Sequence, residues 1–113
     1  MDRKRLAAGG IDYDSGAARC GSESLYESLL SQYGSCVASP EAIRSLWEAA
    51  DYEQLKMVVH NLKGTSGNLS IQTVFRLSAR AMELLRAQDY TALSQVIPDL
   101  EQAQAAALSA IGG

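Results

Sequence analysis

Apolar residues recur along most of the chain at intervals of three and four positions, which is the spacing of one face of an α-helix. The runs are separated by residues that start or end helices, such as Gly21, Ser22 and Ser39 followed by Pro40. The chain is therefore expected to be all-α. The runs predict six helices: Asp12 or Asp14 to Cys20, Ser22 to about Val37, Ser39 to about Ala50, Tyr52 to between Gly67 and Ser70, Ile71 to Ala87, and Tyr90 to about Ile111.

The composition agrees with this pattern, because Ala, Leu, Ser, Glu and Gln are abundant and only 6% of the residues are aromatic. A chain of 113 residues suffices for one domain, which we place at residues 11–111. Residues 1–10 contain a basic cluster and end in two glycines, and they are expected to be a flexible lead-in. Within the last helix, Pro98 removes one backbone hydrogen bond, so a kink or a brief break is expected there.

Charge and cysteine content argue against several classes of protein. The net charge is −3 and no basic stripe with interleaved aromatic residues is present, so nucleic acid is not an expected partner. No apolar run approaches the ~20 residues needed to span a bilayer, and no signal-peptide pattern is visible. We therefore expect a cytoplasmic protein without direct membrane contact. Cys20 and Cys36, with one histidine and no CxxC motif, predict no metal site and two reduced thiols that act as small apolar residues.

The only histidine of the chain, His60, lies within the helix predicted to start at Tyr52. Because successive helical residues turn by about 100°, the side opposite the imidazole is apolar and contains Leu55, Val58, Leu62 and Leu69. Residues three, four and seven positions away share the histidine's own face, and these are Glu53, Lys56, Lys63, Gly64 and Gly67. His60 is therefore predicted to be exposed and not to be a packed core histidine.

The residues around His60 suit a side chain that another molecule must reach. Glycine in a helix interior costs roughly 1 kcal/mol relative to alanine, so Gly64 and Gly67 weaken the helix while leaving space around the ring. Lys63, one turn after His60, would stabilise an anion that is carried on a ring nitrogen. We assign His60, Lys63 and Gly64 to the reaction. The predicted partner contacts are Lys56, Met57 and Gly67.

The sequence from His60 to Leu69 closely resembles the signature of histidine phosphotransfer (HPt) domains, in which His, any residue and Leu-Lys-Gly precede small residues and an Asn-Leu-Gly-like step. Residues 21–30 are similar to the family's first bundle helix, and Ala81-Met82-Glu83 is similar to its Leu-Glu step on the helix after the histidine. The resemblance covers residues 11–111. Ser70 departs from it, because the family usually has glycine at this position.

This resemblance implies an antiparallel four-helix bundle with a short additional N-terminal helix. It implies that His60, through Nε2, accepts a phosphoryl group from an aspartate of one response-regulator receiver domain and passes it to another. The receiver would supply Mg²⁺, and the chain, which is expected to be a monomer, would need no cofactor of its own. No P-loop and no kinase glycine-rich loop is present, so we expect a phosphoryl carrier and not an ATP-using enzyme. The expected bundle helices start near Ser22, Tyr52, Ile71 and Tyr90.

Two alternative functions stay open at this point. The domain could be the phosphoacceptor module of a chemotaxis-type histidine kinase, which an ATP-binding domain elsewhere would phosphorylate. It could also be a helical interaction module without phosphotransfer, although the presence of both His60 and Lys63 argues against that. Whether the domain stands alone or forms part of a hybrid sensor histidine kinase is equally open.

Overall fold

The computed structural model describes residues 1–112, which form seven helices. The prediction of an all-α fold is confirmed, and six of the helices lie close to their predicted bounds; the exception is α1. The helices are α1 Arg3–Ala8, α2 Tyr13–Cys20, α3 Glu23–Cys36, α4 Pro40–Glu48, α5 Tyr52–Asn68, α6 Gln72–Ala87 and α7 Tyr90–Gly112.

The helices begin where the sequence provides a side chain that can accept from free backbone N–H groups. Ser22 Oγ accepts from Leu25 N at 2.9 Å, and Asp51 Oδ1 accepts from Gln54 N at 3.3 Å. Each such cap stabilises a helix by about 1 kcal/mol. The local signals therefore set the helix boundaries before any tertiary contact is considered. The same type of cap is formed by Asp12, Ser39 and Asp89.

The four long helices α3, α5, α6 and α7 form the bundle, and the short α4 connects α3 to α5 while packing on α7. Within the core, Tyr33 donates its hydroxyl to Gln104 Oε1 at 2.6 Å. Gln104 Nε2 donates in turn to the carbonyl of Ala38 at 3.0 Å. Burial raises the pKa of Tyr33, so the phenol remains a neutral donor. The largest apolar side chains at the centre are Leu30, Leu55, Leu62, Leu93, Ile97 and Leu100.

The last helix contains Pro98, where a kink or a brief break was expected. The break does not occur, since α7 is a single helix from Tyr90 to Gly112. Ile97 and Leu100 on either side of the proline are fully buried. Their burial on the bundle offsets the loss of one backbone hydrogen bond, and the proline ring itself lies on the exposed face.

The expectation of a flexible lead-in over residues 1–10 is wrong for the segment that forms α1. Asp2 caps this helix, and Leu6 is only 1% exposed. The carbonyl of Gly10 accepts from Gln72 N at 2.8 Å and from Thr73 N at 3.4 Å, which satisfies the start of α6. Ile71, the N-cap residue of α6, provides no side-chain cap, so the N-terminal segment supplies one in its place. The sequence pattern missed α1 because a six-residue helix with one buried residue has no periodicity.

The first prediction follows from the burial of Leu6. Leu6→Ala is expected to lower the free energy of unfolding by about 2–4 kcal/mol, because truncation of a buried leucine removes its packing and leaves a cavity. Urea denaturation of the parent and the variant measures this difference. Lys4→Ala, an exposed position on the same helix, should change the value by less than about 0.5 kcal/mol. Equal stability of parent and Leu6→Ala would show that α1 is not docked in solution.

Candidate functional site

The helix α5 turns one stripe of side chains into the core and leaves the rest available. The buried residues, at intervals of three and four, are Leu55, Val59, Leu62 and Ser66. The predicted core face is confirmed at Leu55, Leu62 and Leu69, but Val59 is fully buried where Val58 was expected, and Val58 is only half-buried. The imidazole of His60, one position after Val59, is exposed as predicted.

Gly64 lies on the outer side of α5, one turn after His60. A Cβ atom placed on Gly64 would have no heavy atom within 4 Å, so nothing inside the protein requires glycine at this position. Met57, three residues before His60, is 65% exposed on the same outer side. An exposed methionine and a glycine that no internal contact requires thus flank the histidine.

Gly67 has a different explanation, which concerns the packing of α5 against α6. A Cβ atom on Gly67 would lie 2.9 Å from Cδ1 and 3.0 Å from Cε1 of Phe75, which is closer than side chains pack. The missing side chain of Gly67 therefore makes room for the Phe75 ring, which is itself 38% exposed. Phe75 was not among the predicted site residues, and its sequence neighbours Val74 and Arg76 give no signal that could have indicated it.

Lys63 and Lys56 bring two positive charges to the histidine's face of α5. Both side chains are half-buried, so their aliphatic stems lie along the protein surface while the ammonium groups reach water. Neither lysine forms an ion pair with a carboxylate of residues 1–112. These charges are therefore available to an anion that arrives with a partner or on the imidazole.

The turn from α5 to α6 keeps the shape that glycine would favour, although Ser70 occupies it. Ser70 has a φ of +56°, which is the left-handed region where a non-glycine residue is strained. Three contacts hold the turn: the carbonyl of Ser70 accepts from Asp12 N at 2.9 Å, its Oγ lies 3.0 Å from Ser15 Oγ, and the hydroxyl of Tyr26 donates to the carbonyl of Leu69 at 2.5 Å. The N-terminal helices therefore maintain the turn that ends the histidine helix.

The helix α5 also contacts the end of α3, where one of the two cysteines, Cys36, lies. Asn61 Nδ2 donates to the carbonyl of Cys36 at 3.1 Å, which fixes the end of α3 beside the histidine helix. Cys20 and Cys36 are both free thiols. Cys20 packs against the core, but Cys36 is exposed, so the expected role of a small apolar residue fits Cys20 and is wrong for Cys36.

Two broader properties of the described chain bear on the type of site. Among residues 1–112, no cluster of three or more His, Cys, Asp or Glu side chains could hold a metal ion. Within the same residues, none of the helices has the length and apolar character required to cross a membrane.

The comparison with protein-family models matches residues 34–110 to the Hpt domain family. The match covers more than half of the chain, which therefore belongs to this family and is a histidine-containing phosphotransfer module. Members of the family are phosphocarriers without an ATP site of their own, and they interact with response-regulator receiver domains. Comparisons with curated proteins and with solved structures returned no match.

The second prediction separates the two glycines of α5 by their effect on stability. Gly64→Ala is expected to raise the free energy of unfolding by up to about 1 kcal/mol, because alanine is the better helix former and its methyl group meets nothing. Gly67→Ala is expected to stabilise the chain less than Gly64→Ala, because its methyl group has to displace the partly exposed Phe75 ring and this offsets the gain in helix propensity. Urea denaturation of the two variants provides the measurement, and a Gly67→Ala variant stabilised as much as Gly64→Ala would contradict the packing explanation.

Proposed function

We propose that His60 is the phosphorylated residue and that the chain relays a phosphoryl group between the aspartates of two receiver domains. The observation that supports this most directly is the exposed His60 next to Gly64, whose missing side chain has no cause inside the protein. A receiver's active site could approach the ring over Gly64, because no heavy atom lies within 4 Å of the position of its missing Cβ. An ordinary surface histidine would not require a glycine at that position.

The reaction needs only a nucleophile on this chain. A neutral imidazole has a free lone pair on one ring nitrogen, which makes it a nucleophile near neutral pH. The Nε2 lone pair of His60 attacks the phosphorus of a receiver's aspartyl phosphate, the bond from phosphorus to the carboxylate oxygen breaks, and the aspartate leaves as a free carboxylate. In the return step, the carboxylate of a second receiver attacks the same phosphorus and His60 leaves as neutral imidazole.

Charge neutralisation and positioning account for most of the rate of phosphoryl transfer. In our proposal, Lys63 supplies one positive charge one turn from His60, and a receiver-bound Mg²⁺ supplies the remainder. Lys56, Met57 and Gly67 contact the receiver around the transferring group. The chain acts as a cytoplasmic monomer and carries no cofactor of its own.

The third prediction tests the assignment of the phosphorylated residue. His60→Gln is expected to abolish the labelling of the chain by phosphorylated receiver domains, because no other histidine is present. The same change should alter the free energy of unfolding by no more than about 0.5 kcal/mol, as for an exposed position. Labelling and urea denaturation are measured on one preparation. Retained labelling would place the phosphoryl group on another residue, and labelling only by a kinase core with ATP would favour the chemotaxis-type alternative.

The fourth prediction tests whether Gly64 provides access to the imidazole. Gly64→Gln should fold at least as well as the parent, since the space around Gly64 is open. Its side chain would nevertheless stand beside the ring and prevent the reacting atoms from approaching within ~3–3.5 Å. Receiver-to-chain transfer is therefore expected to be at least tenfold slower.

Two controls make the Gly64 experiment specific. Gly64→Ala adds a small side chain at the same position and should transfer faster than Gly64→Gln. Glu53→Gln places the same amide side chain two turns before His60, where it should leave the transfer rate within about twofold of the parent. A folded Gly64→Gln variant with the parental transfer rate would mean that this glycine does not serve access.

A further inference from the structure

A depression of about 510 Å³ lies between α5, α2 and the start of α6, next to the histidine's face of α5. Lys63 and Gly64 line it from α5, and Arg19 lines it from α2. Phe75 forms part of its wall from α6. Lys63 and Gly64, which are predicted to assist His60, therefore line the same depression as Arg19, which has no part in the proposed reaction.

The side chains that line this depression carry only positive charge. They include Arg19 and Lys63 but no carboxylate, and neither cation forms an ion pair within residues 1–112. The neighbouring depression of about 430 Å³ between α1, α2 and α6 is different, because its two arginines are accompanied by Asp12 and Asp14. Charge complementarity thus favours an anionic occupant in the first depression and not in the second.

Arg19 is held in place by the histidine helix itself. Its NH1 group donates to the carbonyl of Gly67, and its remaining donors have no acceptor within residues 1–112. A guanidinium fixed by one hydrogen bond still offers the paired donors that bind a carboxylate in a bidentate manner. Arg19 is therefore preorganised for an acidic side chain.

Arg19 lies on α2 and contacts α5 at Gly67. The distance of this contact from His60 shows whether Arg19 could bind the phosphoryl group or an acidic residue of the partner protein. Gly67 follows His60 by seven residues, which corresponds to about 10 Å along the helix axis. Lys63 is only one turn away, whereas a group held at Gly67 is too distant to touch a phosphoryl group on the imidazole. Residue 19 also lies outside residues 34–110, which the family model matches, so it is not part of the matched family region.

We propose that Arg19 and Lys63 form a pocket for an aspartate or glutamate side chain of the receiver domain, and that Arg19 thereby selects which receivers dock on this chain. The proposal rests on the proposed function, because it assumes that receivers are the partners. Arg19 acts through binding and positioning of the receiver and takes no part in bond making. It should therefore affect the concentration at which a receiver saturates and not the rate within the complex.

The experiment uses the full 113-residue chain and a panel of purified receiver domains charged with acetyl phosphate. The receiver that transfers fastest to the parent is titrated against the parent and against Arg19→Glu. We expect the half-saturating concentration to rise about tenfold in Arg19→Glu while the maximal single-turnover rate stays within twofold. The difference should shrink in 0.5 M salt, since exposed charges are then screened.

Arg76→Glu is the matched control, because Arg76 is an exposed arginine that lines the neighbouring depression and receives the same change of charge. It should leave the half-saturating concentration within twofold of the parent. Arg19→Gln removes the charge without reversing it, so it should raise the half-saturating concentration by less than Arg19→Glu does. This variant also tests the proposal if Arg19→Glu impairs folding. Replacing the responsible acidic residue of the receiver by lysine should restore docking to Arg19→Glu.

The possible outcomes distinguish this proposal from the proposed function. Equal effects of Arg19→Glu and Arg76→Glu would overturn the pocket, because only the overall charge would then matter. A lower maximal rate with an unchanged half-saturating concentration would also overturn it, since Arg19 would act on the reacting groups. A parent chain that no receiver phosphorylates would overturn the proposed function and this inference together, whereas normal transfer by both parent and Arg19→Glu would overturn the inference alone.

Discussion

The structure depends on the requirement that α5 be buried along one stripe while His60 remains accessible. Leu55, Val59, Leu62 and Ser66 are fully enclosed by the other helices, and this burial supplies the hydrophobic stabilisation that a helix with two interior glycines lacks. Because the packing on the inner side holds α5, its outer side can have a composition that would be unfavourable in an isolated helix. His60 is thus presented on a helix that does not depend on its own exposed face for stability.

The second structural condition is a fixed end of the histidine helix. Residues 10–15 run along the turn from α5 to α6, with an isolated bridge between Ile11 and Ile71 and a carbonyl of Gly10 that caps α6. Tyr13 packs edge-on against Tyr26, with ring centroids 5.3 Å apart, and donates to Glu27 at 2.5 Å, which raises the pKa of Tyr13 to about 12. The N-terminal helices therefore do more than precede the bundle, since they set the shape of the surface beside His60.

The local features of the protein can be predicted from the amino-acid sequence alone. Capping residues such as Ser22 and Asp51 and the spacing of apolar residues are local, so they predicted six helices and the exposure of His60 without tertiary information. The spacing of His60, Lys63 and Gly64 and the family resemblance indicated the type of module, because the order of residue types along the chain is enough to recognise both. Such properties can be predicted because a helix has 3.6 residues per turn, so residues three and four positions apart lie on the same face.

Contacts between residues on different helices could be identified only from the three-dimensional packing of the chain. The docking of α1 through Leu6, the contact of Gly67 with Phe75 and the placement of Arg19 beside Lys63 join residues that are distant in sequence. A single apolar residue in a basic segment, or one arginine near a helix end, has no periodic pattern that could reveal its partner. Tertiary packing also kept α7 continuous through Pro98, because the burial of Ile97 and Leu100 outweighs a local preference that the sequence expresses on its own.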